Sequence, residues 1–358
     1  MKSEKIKKII FPAVCVLLTL AAVICFIRIH TLSNSLTSQQ AAERWQGESE
    51  TEFKQLSAFF SEGDNFSINS VGAFRSALVS QLKSSSYDDS EIESLFNDCW
   101  SVETTAALSS ERVASTSVSV IAVGGDYFFF HPIRLISGSY ISDEDFASSR
   151  ILIDEELAWL LFGGTDVAGQ IVYIETEPYA IAGVIEREQD AASLSAYTGG
   201  RGIYMLYSAL QTFSEDTMLT CYEVIMPEPV TGYALTFFNK TITAEDAEKV
   251  ENTGRFATAT LIKNITRLSS LAVKSGAVEY PYWENAAKLV LTSCTLLMLA
   301  GMLLAFIPFV TVVFLAVKYT VKGFHKLKNE VIPSAVKRVD DRIEAKKMKR
   351  WQESGKQY

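Results

Sequence analysis

Two stretches of the chain carry no charged residue: Ile9 to Ile27 near the start and Leu289 to Val317 near the end. A helix needs about 20 apolar residues to span bilayer hydrocarbon, so each run is predicted to be a membrane helix. The second is longer than required; tilt, a kink at Pro308 or extension above the bilayer would absorb the excess. Between the runs the pattern becomes mixed. Leu32, Leu36, Trp45, Phe53, Leu56 and Phe60 form a partial apolar stripe, which predicts a helix over 30–61 ended by "SEGDN". A short strand at Phe66–Ser70, a helix from Gly72 to Lys83, a polar loop "SSSYDDS" and a short helix Glu91–Asp98 come next. "CWSVETTAAL" and "VASTSVSVIAVGG" read as strands, rich in β-branched residues. Further on, "GIYMLY" is a predicted strand, Ser208–Phe213 a helix, "MLTCYEVIMP" a strand, "VTGYALTFFNKTI" an amphipathic helix and "RFATATLI" a strand.

Strand–helix–strand units on both sides of the middle predict one α+β sheet split by an insertion over about 129–189. The insertion holds "RLISGSYI", "RILIDEEL" and "QIVYIETEPYAIAGVIE" as short strands, the last with a turn at Glu177-Pro178. Between them "EELAWLLFG" predicts a short helix stopped by glycine. Gly164 to Gly169 has the G-x-x-x-x-G spacing of a phosphate-binding loop, but Gln170 and Ile171 stand where Lys and Ser or Thr are needed. The glycines have a structural task instead: Gly163 and Gly164 end the helix and Gly169 starts the strand. The loop 187–202, polar and glycine-rich, is expected to be mobile and protease-sensitive.

Charge orients these segments. Residues 1–8 carry about +3 and residues 318–358 about +7, leaving about −19 for the middle of a chain whose net charge is −9. A secretory signal is the alternative for the first run, but its apolar core is too long and no small-x-small site comes after it. Basic flanks outside both runs place both termini in the cytoplasm and the large middle segment outside. The expected divisions are 1–8 cytoplasmic, 9–27 membrane helix, 28–64 stalk helix, 65–262 outer domain, 263–288 return stalk, 289–317 membrane helix and 318–358 basic cytoplasmic tail. Cys15, Cys25 and Cys294 lie in the apolar runs as small hydrophobes. Cys99 and Cys221, in an oxidising space, could pair as a disulfide or remain two separate buried thiols. Sequons at Asn65, Asn239 and Asn264 read as chance matches.

The order "VGGDYF…LISGSYISDEDF…RILIDEELAWLLFGGTDVAGQIVYIETEPYAIAGVIE" resembles the periplasmic core domain of MacB-type ABC transporter permeases, the MacB/FtsX-type family. Gly125, Asp126 and Phe128 match its first strand end, and Leu135, Gly138, Tyr140 and Asp145 the next segment. Leu161, Phe162, Gly163, Asp166, Val167, Gly169, Ile171 and Ile174 match the third part, and Tyr179, Ile181, Gly183 and Val184 the fourth. Ser139, Ala168 and Gln170 depart from the usual Arg, Pro and Lys. The resemblance implies a sheet-and-helix porter-like part with an inserted β-rich subdomain, between membrane helices. Four such helices are usual in the family; this chain has two apolar runs, and a basic tail instead of the loop that docks on the ATPase.

Chemistry is sparse. Of the three histidines, His30 and His131 are assigned near membrane ends and His325 to the cytoplasmic side; no His/Cys/Asp cluster has metal spacing. Asp143/Glu144/Asp145 and Asp154/Glu155/Glu156 could serve acid–base work, but a solvated face or helix N-terminal charge accounts for them. The Phe128–Phe130 run reads as a buried strand end rather than a ligand patch. No enzyme activity, cofactor, metal or nucleic-acid partner is expected. Two functions remain: a permease-like or accessory subunit of an ABC transporter, partnered by an ATPase and/or a full-length permease; or a two-span receptor signalling through a separate protein. Self-association into a homo-oligomer stays open. In the tail, Val336, Val339 and Ile343 share one helix face amid Lys337, Arg338, Arg342, Lys346 and Lys347. That face suits anionic lipid or, in place of the missing loop, a partner protein.

Overall fold

A computed structural model of the chain describes residues 2–85, 87–88, 90, 92–142, 149–196, 202–215, 217–271, 278 and 280–354. It forms two compact units, one of Met1–Ile27 with Leu299–Tyr358, the other of Arg28–Met298. Helices α1 (Lys2–Ser35) and α10 (Tyr282–Lys326) each contribute to both. Both are long and apolar enough to cross a membrane.

In the first unit α1 and α10 lie side by side. A Cβ on Gly301 would meet Phe26 Cζ at 3.3 Å and Cys25 Cβ at 3.4 Å, so the missing side chain allows this approach. Leu17, Phe306, Phe309 and Phe314 are about two-thirds exposed, which suits hydrocarbon and not water. A π-turn at Leu327–Val331 leads into α11 (Ile332–Ser354), where Pro333 fits the first helical turn. Val336, Val339 and Ile343 are all exposed on it.

In the second unit the chain leaves α1 through a 3-10 turn, then forms α2 (Ala41–Gln46), β1 (Phe53–Phe59), α3 (Ile68–Ser84), β2 (Asn97–Ser109) and β3 (Thr116–Gly125). Next come α4 (Tyr127–Phe130), β4 (Leu135–Gly138), β5 (Arg150–Asp154), α5 (Glu155–Phe162), β6 (Ile171–Ile174) and β7 (Glu177–Ile185). The remainder is α6 (Ala191–Ala196), β8 (Gly202–Leu206), α7 (Tyr207–Leu210), β9 (Cys221–Pro227), α8 (Tyr233–Thr241), β10 (Glu248–Glu251) and α9 (Thr258–Ile265), before α10. The strands make one mixed sheet of 10, ordered β10-β1-β9-β2-β3-β8-β5-β7-β4, with β6 bridging β2 and β7. β3–β8 and β5–β7 are parallel; the other pairs are antiparallel. The insertion therefore adds its strands to the same sheet through β5–β8. Phe74 of α3 packs edge-on against Tyr222 of β9 and against Phe237 and Phe238 of α8, so α3 and α8 cover the Tyr222 face.

Several elements differ from expectation. The stalk helix predicted through 61 stops far earlier: 53–59 is strand β1, paired on both edges by β9 and β10. Its apolar residues satisfy a helical stripe, but Leu56 to Phe60 is continuously buried, the mark of a central strand. The strand expected at 66–70 is the entry to α3, where Ser67 and Ser70 form a reciprocal cap. The helix expected at 91–98 is a 3-10 turn running into β2. "RFATATLI" is helix α9, not strand, and the strand lies earlier as β10. The turn placed at Glu177-Pro178 is at Glu175-Thr176, with Glu175 at φ +54° and Pro178 inside β7 opposite Tyr173. Phe128–Phe130 lies in helix α4, not at a strand end. The polar segment after 187 contains α6; residues 197–201 of it lie outside the described residues. The α5 reading holds: Asp154 caps it through Leu157 N–H at 2.7 Å, Glu155 and Glu156 fill its first turn, and Gly163 at φ +79° ends it.

Candidate functional site

Strand β9 is buried at all seven positions, yet it carries a carboxylate, Glu223. An isolated charge there would cost several kcal/mol, so its partners decide what it does. Register supplies them. Ser57 of β1 and Cys99 of β2 stand directly opposite Glu223, and Gly125 of β3 stands opposite Cys99. Opposed residues share a face, so a row Ser57–Glu223–Cys99–Gly125 crosses four strands. Gln55, two residues along β1, lies on the same face. Ser57 Oγ is 2.8 Å from Glu223 Oε1, and Gln55 donates to the same oxygen at 3.4 Å. The other oxygen, Oε2, faces His131 Nε2 in a short contact and Cys99 Sγ at 4.0 Å.

His131 reaches this row because the chain reverses direction at the end of β3. Gly125 has φ +64°, and a Cβ there would lie 2.5 Å from the Asp98 carbonyl oxygen. Only glycine combines that conformation with that approach. Asp126 N–H then bonds the same carbonyl at 3.1 Å, and α4 turns back over the sheet. His131 closes α4 by donating N–H to Tyr127 O at 2.8 Å, which points its ring at Glu223. The ring is packed by Tyr127 at 4.6 Å and by Trp283 of α10 at 4.4 Å. His131 Nδ1, Tyr127 Oη and Trp283 Nε1 are buried with no hydrogen-bond partner among the described residues.

From Glu223 the polar groups continue without a break. Ser57 Oγ is also 2.9 Å from Asn252 Oδ1, Asn252 donates to Gln39 Oε1 at 3.2 Å, and Arg255 donates to the same oxygen at 3.1 Å. Arg255 then forms a two-pronged pair with Glu284 in the first turn of α10, 2.7 Å at each prong. Burial alone would lower the Arg255 pKa; the charge and hydrogen bonds of Glu284, with a smaller contribution from Glu248, together offset this and hold it above its ordinary value. Gln55 donates to Ser38 O at 2.8 Å and accepts from Ala41 N–H at 3.0 Å. Thus the segment immediately after α1, strands β1 and β9, and the start of α10 meet in one buried polar network.

Of the residues singled out in the sequence, Gly125 and Asp126 build this site. Gly138 and Gly183 face each other across β4–β7, where a Cβ on Gly138 would meet Ala182 O at 2.2 Å. With Phe162, Gly163 and Gly169 they belong to the far end of the sheet; Asp145 lies outside the described residues, as do Asp143 and Glu144. Cys99 and Cys221 are both buried and both free. Cys221 opposes Ser101, two residues along from the Cys99–Glu223 pair, so the thiols are diagonal rather than facing and the bridge is not formed. Burial first, and then the Glu223 carboxylate, push both thiols well above their ordinary pKa. His131 is in the buried core of this unit, not at a membrane end. Nor does sparse spacing keep ligand-type groups apart: Cys99, His131 and Glu223 place one ligand atom each within 4.8 Å of one another. The signal for this was a lone acid inside an otherwise apolar strand. On the Tyr222 face, an open groove of about 710 Å³ between α3 and α8 is lined by Ala77, Ser80, Val230, Tyr233 and Phe237.

A family model described as the MacB-like periplasmic core domain matches residues 48–261. Three solved structures are similar. The periplasmic region of MacB from Actinobacillus actinomycetemcomitans is 14% identical, with a TM-score of 0.40, covering 62% of this chain and 94% of its own. The extracellular domain of the noncanonic ABC-type transporter YknZ from Gram-positive bacteria is 16% identical, with a TM-score of 0.35, covering 51% and 88%. A domain of a permease-like protein from Porphyromonas gingivalis is 12% identical, with a TM-score of 0.33, covering 56% and 88%. No curated protein matches.

Proposed function

Since this chain belongs to the MacB-like periplasmic core domain family, we propose that it is a non-catalytic membrane subunit of an ABC transporter system whose outer domain passes on movement of its membrane helices. The observation that carries this reading is the buried network. The stretch after α1 reaches β1 through Ser38 and Ala41, and α10 reaches it through Glu284, Arg255 and Asn252. Removing one partner of a buried ion pair costs about 3–5 kcal/mol. A displacement of the first turn of α10 is therefore delivered to β1 and β9 rather than absorbed locally. On this reading both termini are cytoplasmic, and the partner is an ABC ATPase, a full-length permease or both. The exposed Val336, Val339 and Ile343 of α11 supply the apolar anchors for that contact.

The alternative, a two-span receptor, draws on the open groove between α3 and α8 as a ligand or cargo surface. Affinity purification of the tagged full-length chain from its native membranes separates the two. An ABC ATPase or permease should be recovered, and Val339→Ser with Ile343→Ser should reach the membrane but lose that partner. Recovery of a sensor kinase alone, or of no ATPase or permease, would overturn the transporter reading. Unchanged recovery by the double variant would assign α11 to lipid anchoring.

A further inference from the structure

The Cys99–His131–Glu223 cluster holds a thiol, an imidazole and a carboxylate at one buried point, on three different elements. We propose that these three side chains form a binding site for one divalent, zinc-type ion. The inference is independent of the transporter reading.

The donor set carries the argument. Sulfur with nitrogen and one carboxylate oxygen suits zinc; hard cations prefer all-oxygen shells, and copper(I) disfavours carboxylate. Tetrahedral zinc sets its ligand atoms about 3.3–3.7 Å apart. Cys99 Sγ and Glu223 Oε2 are 4.0 Å apart, and all three ligand atoms lie within 4.8 Å of one another. His131 Nε2 and Glu223 Oε2 are in short contact, so the ion enters by parting them by about an ångström. Part of a supporting shell exists: Ser57 and Gln55 hold the other carboxylate oxygen, so Oε2 is the one turned to the ion, while His131 Nδ1 has no second partner among the described residues. Tyr127 and Trp283 clamp the imidazole plane from two sides. Charge also closes: a thiolate and a carboxylate carry two negative charges, which a divalent ion neutralises, and the thiol proton leaves to solvent. Three protein ligands leave the fourth tetrahedral position to a water. Bound there, the ion would tie α4 to β2 and β9 at the point where α10 also packs.

The test uses the full-length chain in detergent, stripped with a chelator and reloaded with Zn²⁺ or Co²⁺ alone. One equivalent per chain is expected, with a higher Tm. The cobalt form should show thiolate-to-metal charge transfer and the strong visible bands of four-coordination. Cys99→Ser should abolish the charge transfer, Cys221→Ser should keep it, and Ser57→Ala should weaken metal affinity by about tenfold. X-ray absorption at the zinc edge of the wild type, which needs no variant to fold, should report one sulfur among nitrogen and oxygen neighbours. A wild type that takes up no equivalent of either metal, a sulfur-free shell, or charge transfer that survives Cys99→Ser would overturn the proposal.

Discussion

Glu284→Gln probes the junction directly. The Glu284 side chain has no exposed surface and that of Arg255 only 7%, with two hydrogen bonds of 2.7 Å between them. The substitution leaves the guanidinium buried without its countercharge; one amide oxygen of the new side chain and Gln39 Oε1 at 3.1 Å are its acceptors, and the new NH2 faces it as a second donor. An uncompensated buried charge of this kind costs about 3–5 kcal/mol. For a unit the size of Arg28–Met298 that corresponds to a fall in Tm on the order of 10 °C. Arg255→Met should cost as much, because it strands the carboxylate. Combining Arg255→Met with Glu284→Leu removes both charges and should return to within about 1 kcal/mol of wild type. Thermal unfolding of the full-length chain in detergent, monitored by tryptophan fluorescence, reads all four proteins; Trp283 lies one residue from the change and is buried. If the single variants lose no more than about 3 °C, or if the double variant falls by the sum of the singles, the pair does not act as a buried charge-paired tie.

Gly125→Ala should lower stability by about 2–4 kcal/mol, because its Cβ meets the Asp98 carbonyl at a positive φ, whereas Gly164→Ala, with open space around it, should be silent in the same melting assay. In the metal-free folded protein at neutral pH, Cys99 and Cys221 should resist a maleimide and react after unfolding, since both are buried and burial raises both thiol pKa values; labelling of the native chain within minutes would contradict their placement. In intact cells, Ser3→Cys and Lys356→Cys should be protected from a membrane-impermeant thiol reagent while Asp190→Cys reacts; the opposite pattern would reverse the orientation of the chain.

The parts of the fold that were legible in the sequence are those where local chemistry and tertiary burial agree. Strands β2 and β3 are β-branched and partly alternating, and α5 has an acidic first turn and a glycine stop, so their patterns name them. The misread segments are those where packing overrides a local pattern. β1 carries a helix-spaced stripe but is clamped between β9 and β10, and "RFATATLI" is β-branched but supplies the amphipathic helix α9. The site was hidden for a different reason. Gln39, Gln55, Ser57, Cys99, His131, Glu223, Asn252, Arg255 and Glu284 span most of the outer segment, and strand register, which no spacing rule encodes, brings them together. The family motif reached the site only through Gly125 and Asp126, whose turn sets His131 in place.

Electron spin resonance distances in a purified complex of the chain with the proposed ABC ATPase partner test most directly whether movement passes through the junction. Nitroxides at Ser84 on α3 and Glu156 on α5, both exposed, report the outer domain. Trapping ATP hydrolysis with vanadate should shift the distance distribution in the wild type. In Glu284→Gln the shift should disappear while ATP hydrolysis continues, and in the Arg255→Met, Glu284→Leu double variant, which should fold stably but lacks the tie, it should also be lost. A wild-type distribution that ignores nucleotide, or a shift that persists unchanged in both variants, would contradict the account.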